Sequence, residues 1–385
     1  MRKKIIYFDN AATSGIKPPS VIKAICDCLK KNNANPGRSG HILSVKAAEI
    51  IYNCREKIGE LFKFDNTENI ILTKNATESL NIVINGLLNK GDEVITTSME
   101  HNSVLRPLTY LKKKKNIKIK MVRADLNGFI NPADILTSIT DKTKLIVITA
   151  ASNVTGTKMD IEKVREIAHS NGVKILVDAA QGAGTIKINL KESPFDFLAI
   201  TGHKHLFGPQ GTGALIIKDS EEIEPLMFGG TGSQSEKIIH PDFLPDKFES
   251  GTLNTPGFAG LSAGIDFIIK KGIDNVINYE RQLIKYLTEK LMEIHEIKVY
   301  APFVNRVATL SFNINGAQPS DIADYLDKKH SICVRSGLHC APEAHRTINT
   351  FPYGTVRFSL SYFNTQKEID ISINALKSFI MKNKN

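Results

Sequence analysis

Two ionisable residues in this 385-residue chain stand where short apolar runs stop. Lys204 follows Phe197-Leu198-Ala199-Ile200 by way of Thr201-Gly202-His203, and Asp178 follows Lys174-Ile175-Leu176-Val177. Apolar runs of this length read as buried strands. The Gly208-Pro209 pair beyond Lys204 reads as a tight loop. A lysine at such a junction rarely lacks a partner or a task. Taken out of water, its ammonium gives up a proton more easily. The neutral amine can then attack a carbonyl and form a Schiff base. A solitary strand-end lysine would read as a surface-loop residue. The strand-end acid upstream changes that reading. An acid that keeps a pyridine nitrogen protonated, followed by a lysine that holds an aldehyde, is the pair that pyridoxal phosphate needs.

A phosphate needs its own cradle. Lys74-Asn75-Ala76-Thr77-Glu78 lies at a strand-to-helix junction. A helix N-terminus offers unpaired amides and the positive end of the dipole. Alone, the stretch reads as a helix cap with a threonine bonded to its own helix. With Asp178 and Lys204 downstream, Ala76 and Thr77 become phosphate candidates, and Thr201 and His203 can donate to the same group.

The chain has five cysteines. Cys26, Cys28 and Cys54 fall in helical patterns and read as packing residues. Cys333 has apolar flanks, Ile332 and Val334, which suggest a strand. Cys340 lies in a polar loop between His339 and Ala341-Pro342. A reactive thiolate needs positive neighbours and access to solvent, and Arg335 and His339 are the candidates to supply that charge. Cys333, His339, Cys340 and His345 also invite a zinc reading, but their spacing matches no common finger or ribbon, so no metal is expected.

The elements that must position these residues alternate. Strand Ile70-Ile71-Leu72 precedes a helix from Thr77 to Leu88. Strand Glu93-Val94-Ile95 precedes a helix from Ser103 to Leu111. Strand Ile117-Lys118-Ile119 precedes a helix near Ala133 to Ser138. Strand Leu145-Ile146-Val147-Ile148 precedes a helix from Ile161 to His169, and the two strands ending near Asp178 and Lys204 follow. Upstream, a helix begins near Ser20, and the polar loop Asn35 to His41 opens a long helix from Ile42 to Phe62. The alternation predicts an α/β fold with a mostly parallel sheet covered by helices. In such sheets ligands bind beyond the carboxyl ends of the strands, where Asp178, Thr201, His101 and Asn153 would converge just after strands. Gly208 to Gly213 is no phosphate loop, because it precedes the strand Ala214-Leu215-Ile216-Ile217 and opens no helix. Beyond Pro256 the pattern becomes one long helical stretch, Phe258 to about Ile294, and then strands near Ala308 to Phe312 and Thr355 to Phe358. This reads as a smaller α+β domain. The expected division is a large domain over 15–255, with 1–14 and 256–385 forming the small one.

Composition narrows the class. With 42% hydrophobic residues the chain can bury a large core. No apolar run is long enough to span a membrane. The basic start Met1-Arg2-Lys3-Lys4 precedes too short an apolar stretch for a signal peptide, and an odd cysteine count argues against a disulfide framework. The expected compartment is the cytoplasm. The net charge is +10. The run Lys112 to Lys115 has no interleaved aromatic residues for base stacking, so it reads as a solvated helix end that suits the helix dipole, and no nucleic-acid or membrane partner is expected.

Three ordered motifs, Asp178-Ala179-Ala180-Gln181, Thr201-Gly202-His203-Lys204 and Arg335 to Pro342, resemble the cysteine desulfurases. These belong to the class V aminotransferase group of fold-type I pyridoxal phosphate enzymes. The resemblance runs from Tyr7-Phe8-Asp9-Asn10-Ala11-Ala12-Thr13 to Arg357. It implies a seven-stranded sheet in the large domain and conversion of L-cysteine, or L-selenocysteine, to L-alanine. Cys340 would carry the sulfur as a persulfide, for transfer to an acceptor protein. It also implies a role for each matching residue. Lys204 holds the cofactor and moves protons, and Asp178 makes the ring an electron sink. His101 stacks on that ring and relays protons, and Gln181 contacts its phenolate oxygen. Asn153 positions cofactor and substrate carboxylate, Arg357 binds that carboxylate, and Asn10 and Arg335 help bind substrate. Thr252 reaches the phosphate of the neighbouring subunit, which makes the enzyme a homodimer. The short interval from Cys340 to Arg357 resembles the second, Suf-type and selenocysteine lyase-like branch. Leu338 stands where many relatives have histidine, which leaves subgroup and acceptor open, and with them delivery to iron–sulfur cluster biogenesis, tRNA or selenium metabolism. A selenocysteine lyase, a class V aminotransferase, which would not need Cys340, and a silent cofactor-binding regulator or scaffold are the alternatives.

Overall fold

The computed structural model describes residues 5–37, 39–219, 223–234 and 236–384. The basic start at residues 1–4 and Arg38 of the polar loop lie outside them. Seven strands form the main sheet, in the order Ile70–Thr73, Gly213–Ile217, Phe197–Thr201, Lys174–Asp178, Thr143–Thr149, Glu93–Thr97 and Lys118–Val122. Gly213–Ile217 runs antiparallel to both neighbours. All other pairings are parallel. Phe197–Thr201 and Gly213–Ile217 are buried at every position, as strands with helices on both faces must be. The outer strand is different. Its Lys118 and Lys120 both reach Glu93, at 3.4 and 2.8 Å, and charge on an edge discourages pairing with other chains.

Helices cover both faces. Ile42–Phe62 and Ile161–Ser170 pack on one side through residues such as Ile58 and Val164, and Ala76–Leu87 and Asn102–Lys114 pack on the other through Leu80 and Leu108. The lysine run ends the last of these. Lys112, Lys113 and Lys114 occupy its final turn, and Lys115 Nζ donates to the carbonyls of Asn85 and Leu88, at 3.1 and 2.8 Å.

A smaller antiparallel sheet has the order Arg335–Gly337, Thr355–Ser359, Thr309–Ile314 and Ile297–Val299. The helices Ile273–Met292, Pro319–His330 and Gln366–Lys384 pack against it around Leu310, Phe312 and Phe358. The N-terminal strand Ile6–Tyr7 pairs with Ile332–Cys333 and so joins this lobe.

Three expectations shift. The helical stretch from Phe258 to Ile294 is two helices, Thr255–Lys271 and Ile273–Met292, parted at Gly272 with φ 80°. Apolar periodicity runs across that break and hides it. The first of the two packs Phe258, Leu261, Ile265 and Ile268 into the cluster that holds Ile51 and Ile58. The change of packing partner therefore falls at Gly272, one helix later than the boundary expected at 255. Asp178 and Thr201 are the last residues of their strands, so they still hold strand geometry where a following position was expected.

Candidate active site

The strand ends meet a cavity of about 280 Å³. Ala76, Thr77, His101, Asn153, Asp178, Gln181, Thr201, His203, Lys204, Arg335 and Arg357 all line it. Cys340 lines an adjoining cavity of about 520 Å³, which shares Thr77, His101 and Ser103 with the first.

Asp178 is buried on the central strand, and Ala180 N–H donates to its Oδ1 at 2.9 Å. Burial raises its pKa, against the pull of that N–H and of Lys204. Lys204 comes from the turn after Phe197–Thr201. Burial pulls its amine down to about 8. Asp178 and Cys340 oppose the shift, and Arg357 and Arg335 add to it. A neutral amine is therefore within reach of ordinary pH, as carbonyl chemistry requires.

The helix Ala76–Leu87 starts at the cavity, capped by Asn75 Oδ1, which accepts from Glu78 N at 3.0 Å. The cap is thus Asn75, and Thr77 is left to face the cavity. First-turn amides of a helix have no partner within it. The glycine-rich loop does structural work here. A Cβ at Gly213 would lie 2.8 Å from Asn75 Cα, so glycine lets the last strand pass close under the helix start. Thr201 Oγ1, His203 Nδ1 and Gln181 Oε1 are buried polar atoms without a partner, while Gln181 Nε2 donates to Ala11 O at 2.9 Å. Buried polar atoms are rarely left so. Orphan groups beside a helix N-terminus, with an acid on one strand and a depressed lysine after the next, fit a phosphorylated, ring-bearing carbonyl compound.

His101 is both a cap and a wall of the cavity. Its Nδ1 accepts from Ser103 N at 3.1 Å, which puts the ring proton on Nε2. Burial and then the cations Lys204, Arg335, Arg106 and Arg357 lower it to about 4, so the ring is neutral at ordinary pH.

The strand Arg335–Gly337 sets Arg335 opposite Arg357. The chain then turns through His339 and Cys340, at φ 47° and 59°. Side chains seldom adopt this left-handed region, and three bonds hold it. Asn153 Nδ2 donates to His339 O at 2.7 Å, Asn102 N donates to Cys340 O at 2.8 Å, and Arg335 Nη2 lies 3.1 Å from Cys340 Sγ. Arg335 supplies positive charge to the thiol. His339 does not, contrary to expectation. It is buried, its Nε2 meets Thr355 Oγ1 at 3.0 Å, and burial with Arg357, His345 and Arg335 holds its pKa well below the usual imidazole range. An imidazole that cannot protonate carries no charge to share. His345 is similar, lowered to about 4, and bonded to Thr350 Oγ1 at 2.7 Å. Among the described residues no group of three or more His, Cys, Asp or Glu converges as metal ligands would.

The other thiols differ. Burial pushes Cys54 up to about 12 and raises Cys28, and burial with Asp327 and Asp9 raises Cys333 on its strand. Cys26 is exposed on its helix, so helical placement alone did not make it a packing residue.

Arg357 is 1% exposed, not a strand-surface arginine. Its Nη2 donates to Asp9 Oδ1 at 2.6 Å and its Nη1 to Asn153 O at 3.0 Å, while Nε has no partner. The sequence did not reveal Asp9 as its counter-ion, nor Asn102 as an anchor of the Cys340 turn. These pairings join residues hundreds of positions apart, and no local pattern marks them. Two expected site residues lie off both cavities. Asn10 is buried in structural bonds. Its Nδ2 donates to Ser359 O at 2.9 Å and Asn364 Oδ1 at 3.2 Å, and its Oδ1 accepts from Gly15 N at 3.2 Å. These bonds tie it to its own chain, and its neighbours Ala11 and Ala12 line the cavity instead. Thr252 is exposed in a separate cavity with Arg55 and Glu249, apart from its own chain's Lys204.

Residues 6–371 match the aminotransferase class-V family. A protein of Methanothermobacter thermautotrophicus described as a probable cysteine desulfurase is 37% identical over 373 residues, covering 95% of this chain and 92% of its own length. One from Pyrococcus abyssi with the same description is 36% identical over 392 residues, covering 99% and 95%. Among solved structures, the apo cysteine desulfurase of Thermococcus onnurineus NA1 superposes with a TM-score of 0.92 at 34% identity, over 98% of this chain and 95% of that one. An S-sulfonic acid form of a cysteine desulfurase from Escherichia coli gives 0.88 at 26% identity, over 98% and 95%. A family match across nearly the full length, on the fold and cavity described above, means that the chain belongs to the aminotransferase class-V family, alongside relatives described as cysteine desulfurases.

Proposed function

We propose that the protein is a pyridoxal phosphate-dependent cysteine desulfurase that converts L-cysteine to L-alanine and leaves the sulfur on Cys340. The single observation that carries this reading is the 3.1 Å contact between Arg335 Nη2 and Cys340 Sγ, at the edge of the cavity that holds Lys204 and Asp178. An aminotransferase would need the last two and not the first. The cofactor, when bound, supplies an electron sink that labilises bonds at the substrate Cα and Cβ.

The chain's own residues would do the rest. The first-turn amides of Ala76 and Thr77, with Thr201 and His203, would hold the phosphate. Asp178 would keep the ring nitrogen protonated, and His101 would cover the ring as a neutral imidazole. Gln181 would reach the phenolate oxygen. Arg357 would take the substrate carboxylate, with its free Nε as the nearest unused donor. Lys204 would move the proton at Cα. Cys340, as thiolate beside Arg335, would attack the substrate sulfur. One S–S bond forms and the Cβ–S bond breaks, with its electron pair left on the carbon fragment, which takes up protons to become alanine. The cavity of about 520 Å³ on the outer side of Cys340, walled by Asn81, Arg106 and Tyr110, offers an acceptor protein a way to the persulfide.

The assembly would be a homodimer. Thr252 lines a cavity that its own Lys204 does not share, and Phe228, Ile238, Ile239 and Phe243 nearby in the chain are exposed apolar residues that a second copy would cover. The five free cysteines suit the reducing cytoplasm. No described helix is long and apolar enough to cross a membrane.

The test is to incubate the holoenzyme with cysteine and measure alanine, sulfide and the mass of each cysteine peptide. One added sulfur is expected on the Cys340 peptide, with alanine formed in step. Cys340→Ser should still bind cofactor and cysteine but lose alanine formation. Sulfur on Cys333, or full turnover by Cys340→Ser, would return the aminotransferase reading to first place. The same assay run with selenocysteine decides between the two amino acids.

A further inference from the structure

A second cavity, of about 540 Å³, lies in the smaller lobe between the helix Ile273–Met292 and the segment ending at Arg306. It shares no lining residue with the catalytic cavity. Arg306 forms part of its wall and is only 6% exposed. A guanidinium carries five donor hydrogens. This one makes a single bond, from Nη1 to Thr155 O at 3.4 Å, and its Nη2 has no partner. Among the described residues no carboxylate pairs with it within 4.0 Å. Glu280 shares a smaller cavity of about 10 Å³ with Arg306 but lies beyond ion-pair distance of it, its Oε1 without a hydrogen-bond partner and 3.7 Å from His205 Nδ1. Burial lowers Arg306 to about 10 and still leaves it cationic at ordinary pH. A buried cation without a counter-ion is costly, and its presence points to an anion that the chain does not itself provide.

The rest of the wall says what kind of anion. Arg281 is exposed at the cavity and forms no ion pair among the described residues. Lys285 beside it has only a 3.9 Å contact with Glu289. Ile284, Met292, Pro302, Phe303 and Val304 give the wall apolar stretches, Phe303 being 86% exposed, and Thr288, Glu289 and Asn305 complete it. The volume lies in the usual range for small-molecule sites. Three cations against the single acid Glu289, with apolar stretches in the same wall, fit a molecule with one anionic end.

We propose that this cavity binds a small organic anion, a carboxylate or a phosphate ester on an apolar body, with its charge on Arg306 and Arg281 and its body against Ile284, Met292 and Phe303. The site abuts the segment that anchors the Cys340 turn, since Thr155, which accepts from Arg306, is two residues beyond Asn153.

Calorimetry on the holoenzyme tests this, with phenyl phosphate and phenylacetate as probes and neutral 2-phenylethanol as control. One anion should bind per chain and the alcohol should not. Arg306→Gln and the surface variant Arg281→Ser should each weaken binding by about tenfold, since each removes a charge-assisted contact. Arg281→Ser keeps the test valid even if the buried variant fails to fold. The assignment falls if neither anion binds more tightly than about 1 mM, or if both variants bind as the wild type does. Binding lost in Arg357→Gln but unchanged in Arg281→Ser would place the anion in the catalytic cavity and equally overturn it.

Discussion

Lys204 and Asp178 lie on adjacent strand ends, and the physics of each depends on the other. Burial pulls the lysine down to about 8 and raises the aspartate, while each opposes the shift in its partner. The sign of the pH effect follows. Below about 8 the amine is an ammonium and cannot attack an aldehyde, and above it the amine is neutral. Loading of the cofactor-free protein with pyridoxal phosphate should therefore accelerate about tenfold per pH unit below that point and level off above it. Stopped-flow absorbance at a series of pH values reads the break. A break near the ordinary lysine value would mean that the cavity does not desolvate Lys204. Arg335 would have the matching role for the proposed sulfur step. It is the cation that touches Cys340, because His339, next to it in sequence, is buried and neutral.

The long helix Ile42–Phe62 is tied to the segment that carries Thr252 by a buried ion pair. Arg55 Nη2 meets Glu249 Oε1 at 2.6 Å and Oε2 at 2.5 Å, and Glu249 Oε1 also accepts from Leu72 N at 2.7 Å. Arg55 Nε donates to Ile70 O at 3.0 Å. Helix, edge strand and loop are thus locked through two side chains. Removing one partner leaves an uncompensated buried charge, which costs about 3–5 kcal/mol. Glu249→Ala should lower unfolding free energy by that order, measured by urea denaturation of the holoenzyme. A change below about 1 kcal/mol would show that the pair behaves like an exposed one. The Cys340 turn is also built by elements at a distance. Asn102 starts one helix, Asn153 follows another strand, and both hold the turn in a conformation that its own residues would not choose.

For the whole molecule, the proposed homodimer rests on Thr252 serving the site of a second chain. A mixed dimer separates the two cases. One chain carries Thr252→Ala with Lys204 intact, and the other carries Lys204→Ala with Thr252 intact. If Thr252 acts across the interface, the intact Lys204 meets an intact Thr252, and activity should recover to about half of wild type, one good site of two. Recovery is not expected if Thr252 acts within its own chain, nor is full activity expected from a protein that sediments as a monomer.

By itself the sequence determined which residues would gather at the cavity and the alternation that positions them. Strand ends at Asp178 and Lys204, the helix start at Ala76, and the cysteine in a polar loop are local patterns, written in the order of apolar and turn residues. The sheet edge on which they converge follows from the α/β class. Tertiary structure decided what local pattern cannot encode. Asn10 lies beside a matching motif, yet its bonds to Ser359 and Asn364 remove it from the cavity. His339 precedes Cys340, yet burial strips it of charge. Gly272 divides a stretch whose apolar rhythm never falters. For Asn10 and His339 the deciding contact or loss of water comes from other elements of the fold, which only folding brings together, whereas at Gly272 the left-handed φ of one glycine makes the break that apolar periodicity does not register.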